Sequence, residues 1–525
     1  MSKNVVNLDG LIPREDFRHE SGGANSLANL QILPVRDLDD GVWPNMLKKP
    51  DFQRETASWT PDKVIDLIHC FVRGELIPSV ILWQSNADIY VIDGAHRLSA
   101  ILAWIHNDFG DGIFSKKHFN NRIPEEQAVI ATRTRAELNK AVGSFADYKA
   151  ARNHIPENLF GEQVIRVFTS GLFIQWVKAA DAAAAEASFF KINQAITPLD
   201  PTERRILKSR ESAHAISSRA IVRGGAGHKY WRDFDTTKQE SIELMASSVH
   251  QSLFSPSMNQ PIKTSDLPIG GYGYNALPFV FDLVSVSNNV KIADSTNKKN
   301  AKDNIPDDKD GSDTVKYFNS VKRDLGLITG TDPSSLGLHP VVYCYTGTGL
   351  FQPSYFIATL EFIKGLEQRS ELVAFTHVRR PFEDFLLKHK NLLSQIGHEL
   401  GSGKRSGSRL RRFLEFLFTE MRKGSDEGAV LAALRSHDEF GSVSSKIRVY
   451  SDSDGASSSR FGRATKSATF IKKAAENPVR CHICQAWVHK NSMHVDHVIP
   501  RREGGNASEG NAGIAHPYCN STVKQ

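Results

Sequence analysis

The strongest constraint on this chain lies in its last 45 residues, where metal-binding residue types occur in pairs. Cys481 and Cys484 form one pair, His516 and Cys519 form the other, and each pair encloses two residues. This spacing lets both side chains of a pair reach one ion, and three thiolates with one imidazole make a closed tetrahedral set that suits zinc. Because so short a segment buries little core, we predict that structural zinc holds its fold.

Between the pairs lie groups suited to phosphodiester cleavage, in the run HVDHVIP from His494 to Pro500. Imidazole takes up a proton near neutral pH and can activate a water. An aspartate and an amide oxygen suit a hard divalent cation. Arg501, Arg502 and Lys524 are expected to contact backbone phosphates. His494 is either a further metal ligand or a strand histidine that faces solvent.

This run resembles the HNH endonuclease family, whose fold is a β-hairpin followed by a helix around a metal. The resemblance implies that His497 is the general base that activates a water. It also implies that Asp496 and Asn520 bind a catalytic Mg²⁺ or Mn²⁺ and that Asn511 orients the loop holding His497. The alternative is a zinc module that binds DNA without cutting it.

A second set of motifs lies near the amino terminus. Thr60 and Pro61 predict the start of an amphipathic helix that Gly74 ends. Two strands follow, over Ser79–Trp83 and Ile89–Ile92, and a further helix follows Gly94. The pattern predicts a strand, a tight turn and a helix at the pentapeptide DGAHR, residues 93–97.

A junction of this kind offers backbone N–H groups, a helix dipole and a guanidinium to a phosphate. Together with FQR at 52–54 and FFKIN at 189–193, it resembles the ParB/sulfiredoxin-like N-terminal domain of GmrSD-type restriction enzymes. The resemblance implies nucleotide binding or hydrolysis coupled to DNA sensing, with a nucleoside triphosphate as the expected ligand and either binding alone or NTPase activity as the outcome. The residues it implicates are Gln53, Arg54, Asp93, Gly94, His96, Arg97 and Asn193. The alternative is that Asp93 and Gly94 only form a turn and Arg97 is only a surface charge.

Charge is distributed unevenly, because residues 401–525 carry a net +8 and residues 1–400 a net −2. A basic end favours a polyanionic partner, although a solvated basic surface has the same composition. The amino-terminal segment has acidic residues where a secretory signal would have its apolar stretch, and no apolar run is long enough for a membrane span, so we expect a cytoplasmic protein without membrane contacts. The aromatic segment 343–356 predicts core packing, with a base-stacking surface as the alternative.

These patterns predict an α+β, multidomain fold. The N-terminal domain is expected to be ParB-like α/β, the middle mainly helical, and the C-terminal domain a zinc-stapled ββα-metal (HNH) domain. The expected domains are an extension over 1–40, a sensor over 41–210, a helical spacer over 211–440 with a mobile loop at 291–313, a linker over 441–475 and the HNH domain over 476–525.

The order of these parts predicts a DNA endonuclease of an anti-phage or modification-dependent restriction type, in which a nucleotide-binding or DNA-sensing domain gates the nuclease. Phage or modified DNA is the expected partner. One HNH module cuts one strand, so a double-strand break would need a homo-oligomer or two visits. The first alternative is a nucleotide-switched regulator that binds DNA without cleaving it, and the second is a nucleotide hydrolase with no DNA role.

Overall fold

The structure is a computed structural model, in which the chain divides into two compact units. Unit 1 comprises residues 1–246 and 292–314, and unit 2 comprises residues 247–291 and 315–525. The structure describes residues 5–17, 30–39, 43–51, 53, 59–85, 88–119, 121, 123, 125–178, 182–196, 205–206, 209–256, 258, 261–271, 276–290, 306–398, 404–441 and 461–524.

Two sheets are present in the described residues, a six-stranded sheet in unit 1 and a two-stranded sheet in unit 2. The strands are β1 (Arg14–Glu15), β2 (Ile32–Pro34), β3 (Leu47–Pro50), β4 (Val80–Ser85), β5 (Asp88–Asp93), β6 (Gly171–Trp176), β7 (His494–His497) and β8 (Ala512–Ala515). The larger sheet has the order β1-β3-β5-β4-β6-β2. It is mixed, because β4 pairs antiparallel with β5 but parallel with β6.

Helices make up most of the remaining described structure, which confirms the predicted α+β class. They are α1 (Val35–Asp39), α2 (Trp43–Met46), α3 (Pro61–Arg73), α4 (Ala95–His106), α5 (Ile113–His118), α6 (Glu125–Ala141), α7 (Phe145–Ala151), α8 (Leu159–Thr169), α9 (Ala182–Ile196), α10 (Ala213–Arg223), α11 (Thr236–Phe254), α12 (Ala276–Ser287), α13 (Ser312–Ile328), α14 (Pro340–Tyr343), α15 (Pro353–Gln368), α16 (Leu372–Lys388), α17 (Lys390–His398), α18 (Lys404–Arg422), α19 (Glu427–Arg435) and α20 (Arg463–Ala474). None of the helices described here is long and apolar enough to cross a membrane.

The local predictions around α3, β4, β5 and α4 are confirmed. Helix α3 begins at Pro61 and ends before Gly74, which adopts the left-handed conformation (φ 71°) and donates to carbonyls of the last turn. Val64, Ile68 and Phe71 form its buried face. Strand β5 ends at Asp93 and α4 begins two residues later.

A largely buried ionic cluster lies in unit 1 around the fully buried Asp9, and sequence reasoning did not find it. The Asp9 carboxylate accepts hydrogen bonds from Lys49 and, at 3.2 Å, from Arg14. His118 and Arg223 lie 3.7 and 4.0 Å from its second oxygen. Burial would raise the pKa of Asp9, but the positive charges of Lys49 and Arg14 hold that pKa well below its ordinary value.

In unit 2, the mainly helical middle confirms that part of the predicted fold class. Phe362, Phe375, Phe382 and Phe418 from α15, α16 and α18 pack edge-to-face or stacked, with ring centroids 5.3–6.0 Å apart. The aromatic segment 343–356 is core, as predicted. Four of its five aromatic side chains are buried: Tyr343, Tyr345, Tyr355 and Phe356.

Two predicted irregular segments lie largely outside the described residues. Of the predicted loop 291–313, the structure describes residues from 306 onward, and α13 begins at Ser312. Of the predicted linker 441–475, the described part contains α20. This part of the predicted linker is helical because Ser467 and Ile471 lie one turn apart, which allows one face of the helix to be buried.

Candidate functional site

The four predicted zinc ligands converge at one point of the C-terminal module. Their ligand atoms all lie within 4.8 Å of one another. In a zinc tetrahedron with bonds of about 2.3 Å to sulfur, neighbouring ligand atoms lie about 3.8 Å apart. The first pair sits on a tight turn in which the N–H of Gln485 donates to the carbonyl of Cys481 at 2.9 Å. The second pair follows β8. The set therefore fits a tetrahedral metal such as zinc.

Hydrogen bonds fix the orientation of His516. Its Nδ1 faces the sulfur atoms, at 3.4 Å from Cys484 Sγ and 3.9 Å from Cys519 Sγ. Its Nε2 lies 2.9 Å from the carbonyl of Trp487, which assigns the proton to Nε2 and leaves Nδ1 as the ligand atom. A backbone carbonyl in this role is the usual outer partner of a metal-binding histidine.

A buried ion pair on α16 supports the cluster from the helical side. Arg379 and Glu383 are fully buried and lie 2.7 Å apart, and Arg379 also donates to the carbonyl of Gly337 at 3.1 Å. Arg379 lies 3.5 Å from Nδ1 of His516, and Glu383 accepts from the N–H of Trp487 at 3.0 Å. Sequence reasoning missed this pair, whose only local signal is its one-turn spacing.

Hydrogen bonds among the cluster thiols shift the pKa values of Cys481 and Cys484 in opposite directions. Hydrogen bonds from Cys484 and Cys519 lower the pKa of Cys481 far below its usual range. The hydrogen bond to Cys481 raises the pKa of Cys484 to about 11, because a second thiolate beside the first is unfavourable. A divalent cation is the group that would let all three sulfurs ionise together.

Asp496 lies on β7 with two cationic or polar partners. His482 Nε2 lies 2.9 Å from Oδ2 of Asp496, and Nζ of Lys524 donates to the same oxygen at 2.7 Å. Lys524 also donates to the carbonyl of His497. Burial would raise the pKa of Asp496, but the hydrogen bonds from Lys524 and His482 lower it below the ordinary value. Lys524, predicted to contact DNA phosphate, thus binds the carboxylate, and His482 is a residue that sequence reasoning missed.

His497 ends β7 and is half-buried. Nε of Arg501 donates to its Nε2 at 3.4 Å. Asn511 fixes the loop that follows, accepting from the N–H of Ile499 at 2.7 Å and donating to the carbonyls of Ile499 and Asn506 at 3.1 and 2.8 Å. Arg502 is exposed beside Glu503. These bonds support the predicted orienting role of Asn511.

Asn520 and His494 lie near this hairpin in different settings. Asn520 belongs to a single π-helical turn, Cys519–Val523, and its N–H donates to the carbonyl of His516 at 3.0 Å. His494 Nε2 lies 3.1 Å from the carbonyl of Thr331. This contact engages Nε2 of His494 with a protein carbonyl, which favours the interpretation of His494 as a non-ligand.

In unit 1, the DGAHR pentapeptide forms the predicted junction. Gly94 has φ 90°, a left-handed conformation that favours glycine, and α4 begins at the next residue. A Cβ atom there would lie 3.1 Å from Nη2 of Arg97. That nitrogen donates to Asp93 at 2.8 Å and to the carbonyl of Ser79 at 3.0 Å. Arg97 is therefore bonded to protein groups on one side.

The other implicated residues of unit 1 are partly described. Gln53 is buried and donates from Nε2 to the carbonyl of Val91 at 3.0 Å, next to the end of β5. His96 stacks on Trp59, with ring centroids 5.5 Å apart and an interplanar angle of 24°. Arg54 and the side chain of Asn193 lie outside the described residues, although Asn193 itself belongs to α9.

Comparison with protein families gives two matches. The model described as "GmrSD restriction endonuclease, N-terminal domain" matches residues 35–210, and the model described as "HNH endonuclease" matches residues 481–525. Searches of curated proteins and of solved structures found no significant match. Each matched range contains the motifs and geometry described above. The chain therefore joins a GmrSD-type N-terminal domain to a C-terminal HNH endonuclease domain, the architecture of a restriction-type DNA endonuclease.

Proposed function

We propose that this chain is a metal-dependent DNA endonuclease of the modification-dependent or anti-phage restriction type, whose C-terminal domain cuts a phosphodiester bond. The observation that carries the proposal is the convergence on one hairpin of His497, Asp496 and the metal-type cluster of Cys481, Cys484, His516 and Cys519. A structural domain would need only the cluster.

In the proposed reaction, His497 removes a proton from a water. The water oxygen bonds to phosphorus while the bond from phosphorus to the leaving deoxyribose oxygen breaks, and the proton remains on the imidazole. Asn511 holds the loop after β7, which keeps His497 in place. Arg501, beside His497, and the exposed Arg502 are proposed to contact the DNA backbone near the cut. Lys524 would reach a phosphate only after leaving Asp496.

Two metal ions are part of the proposal. Zinc would be held by the cluster and would have a structural role. Asp496 and Asn520 would hold Mg²⁺ or Mn²⁺, and Oδ1 of Asp496 accepts no hydrogen bond from any described residue. A cation at this carboxylate would supply charge stabilisation to the leaving oxygen. Carboxylate and amide oxygens are the ligand types that such hard cations prefer.

The N-terminal domain is proposed to bind a nucleoside triphosphate at the β5–α4 turn and to gate the nuclease. The support is the left-handed Gly94 before the start of α4 and the guanidinium of Arg97 at that start. The same proposal includes the reading of modified or phage DNA and a homo-oligomeric state. It also includes the domain bounds 41–210, 211–440, 441–475 and 476–525.

Cleavage assays test the proposed function directly. Supercoiled plasmid and glucosylated-hydroxymethylcytosine phage DNA would each be incubated with the full chain, with Mg²⁺ or with a chelator, and with or without nucleoside triphosphates. We expect His497→Ala to lower the cleavage rate at least about 100-fold, because the general base is lost. His494→Ala removes an imidazole from the same strand and should retain activity, since that side chain bonds to Thr331.

The outcomes separate the two candidate functions. Cleavage by the wild-type chain and by His494→Ala, but not by His497→Ala, supports the endonuclease. Binding without cleavage of either DNA under every condition would overturn it in favour of a nucleotide-switched DNA-binding regulator. Equal cleavage by all three proteins would remove His497 from the role of base.

A further inference from the structure

We propose that His482 is a positioning residue for Asp496 that ties the zinc knuckle to the catalytic carboxylate. This inference rests on the proposed function, because it concerns how a contact orients the aspartate that is proposed to bind the catalytic cation. His482 lies between the first two cysteines of the cluster. His482 is none of the residues proposed above as general base, cation ligand or zinc ligand.

The two partners of Asp496 both bind the same oxygen. His482 Nε2 and Lys524 Nζ lie 2.9 and 2.7 Å from Oδ2, and the described residues provide no donor to Oδ1. A carboxylate held at one oxygen by two donors cannot rotate freely about its last bond. Its second oxygen is then kept in a fixed direction, available to a cation. The two donors are consequently compatible with a cation on Oδ1.

The backbone around His482 holds the imidazole in place. The N–H of His482 donates to the carbonyl of Ile514 on β8 at 2.8 Å. Asp496 pairs with Gly513 across the β7–β8 hairpin. A Cβ atom on Gly513 would lie 2.8 Å from Cδ2 of His482, and 3.0 Å from Cγ2 of Val498. The imidazole therefore occupies the space that the glycine leaves, directly beside the cross-strand partner of Asp496.

The two donors to Asp496 differ in how firmly they are held, so we expect the loss of each to have a different effect. The lysine reaches Oδ2 through four rotatable bonds, whereas the imidazole is fixed by the turn that carries Cys481 and Cys484. Loss of His482 leaves Asp496 bonded to the flexible donor alone. Outer partners of metal ligands typically contribute 10–100-fold to metal affinity or activity. The structural zinc would thereby act on the cleavage site through His482.

The test measures Mn²⁺ binding to the full-length chain by electron paramagnetic resonance, with zinc content determined on the same samples. His482→Leu should weaken Mn²⁺ binding at least about tenfold and keep one zinc per chain. His482→Gln should recover most of that affinity, since its amide nitrogen can donate to Oδ2. His494→Leu makes the same exchange at a histidine that bonds to Thr331, and it should bind Mn²⁺ like the wild type.

Gly513→Ala provides an independent test without touching the histidine. The added methyl group must displace the imidazole, so this variant should also weaken Mn²⁺ binding, and the double variant His482→Leu/Gly513→Ala should be no weaker than His482→Leu. Unchanged Mn²⁺ binding by His482→Leu would overturn the inference while leaving the proposed function intact. Equal losses in His482→Leu and His494→Leu would also overturn it. A wild-type chain that binds no Mn²⁺ would overturn the cation role of Asp496 itself, and the inference with it.

Discussion

The C-terminal module and the N-terminal DGAHR turn differ in how their polar side chains are paired. In the C-terminal module, polar groups converge and keep lone pairs that no described residue uses. The ligand atoms of the cluster lie within 4.8 Å of one another, and one oxygen of Asp496 accepts no hydrogen bond from the described residues. At the turn, Nη2 of Arg97 is bonded to Asp93 and to the carbonyl of Ser79, and Nε2 of Gln53 to the carbonyl of Val91. Nε of Arg97 and Oε1 of Gln53 are buried without a partner among the described residues, so pairing at the turn is extensive but not complete.

Thiolate, imidazole and carboxylate atoms that converge with unused lone pairs are suited to bind a cation from outside the chain. Hydrogen-bond donors and acceptors that pair with one another can stabilise the fold without such a partner. The nuclease assignment accordingly rests on geometry as well as on the HNH match. The nucleotide proposal rests on the resemblance and on the helix start at Ala95. Substitutions in the two regions should therefore differ in effect. We expect the largest effect at the cluster that is proposed to bind a metal ion.

Loss of one cluster thiol should have the largest effect. We expect Cys484→Ser to abolish stoichiometric zinc and to expose the module over 461–524 to protease, because structural zinc contributes about 10–16 kcal/mol in comparable small modules. Cys70→Ser, at a cysteine outside the cluster, should keep its zinc. The measurements are metal content and mass spectrometry of limited proteolysis. A Cys484→Ser protein with full zinc and unchanged proteolysis would contradict the assignment.

The second largest effect is expected at the buried Asp9 cluster of unit 1, where the charged groups pair with other side chains of the same unit. Asp9→Asn should destabilise unit 1 by about 3–5 kcal/mol, because it leaves the charges of Lys49 and Arg14 buried without their counter-ion. Trp487 is the one tryptophan outside unit 1. Urea unfolding followed by tryptophan fluorescence in a Trp487→Phe background thus reports on this unit.

The control for this variant is an aspartate without such surroundings. Asp62 is exposed in the first turn of α3, so Asp62→Asn should cost less than about 1 kcal/mol. Equal and small losses in the two variants would show that the Asp9 cluster contributes no more than a surface charge.

The third effect is a pH dependence of the same cluster. Burial lowers the pKa of His118 to about 3, against an ordinary value near 6.5. Since the unfolded chain binds the proton and the folded chain does not, stability from this group is complete above pH 6.5 and decreases as the pH falls towards 3. The slope is about 1.4 kcal/mol per pH unit, or roughly 3 kcal/mol by pH 4.5.

The histidine is removed in His118→Gln, which keeps a neutral polar side chain. We expect the free energy of unfolding of the wild type to fall relative to this variant between pH 6.5 and 4.5, measured by the same fluorescence signal. Parallel pH profiles for the two proteins would mean that His118 becomes protonated in the folded state.

Local sequence patterns predicted those parts of the structure whose determinants are close together in the chain. Helix α3, strands β4 and β5 and the paired ligands of the cluster are of this kind. The Asp9 cluster was not predicted, because its members come from positions between 9 and 223 and a charged residue in sequence indicates a surface. The contact between His482 and Asp496 was missed for the same reason, since the β7–β8 hairpin, not the spacing, brings them together.

The smallest effect is expected at the DGAHR turn. If a nucleoside triphosphate binds there, Arg97 can keep the bonds of Nη2 to Asp93 and Ser79 and bind phosphate with the rest of the guanidinium, so we expect the gain of about one charge-assisted bond. At about 1.5 kcal/mol, Arg97→Gln should weaken nucleotide binding about tenfold. Calorimetric titration with ATP, GTP, CTP and UTP measures this, with Arg133→Gln on the exposed face of α6 as the control. Binding that Arg97→Gln leaves unchanged, or no binding of any of the four nucleotides, would make this turn a structural feature and assign sensing to contacts with DNA itself.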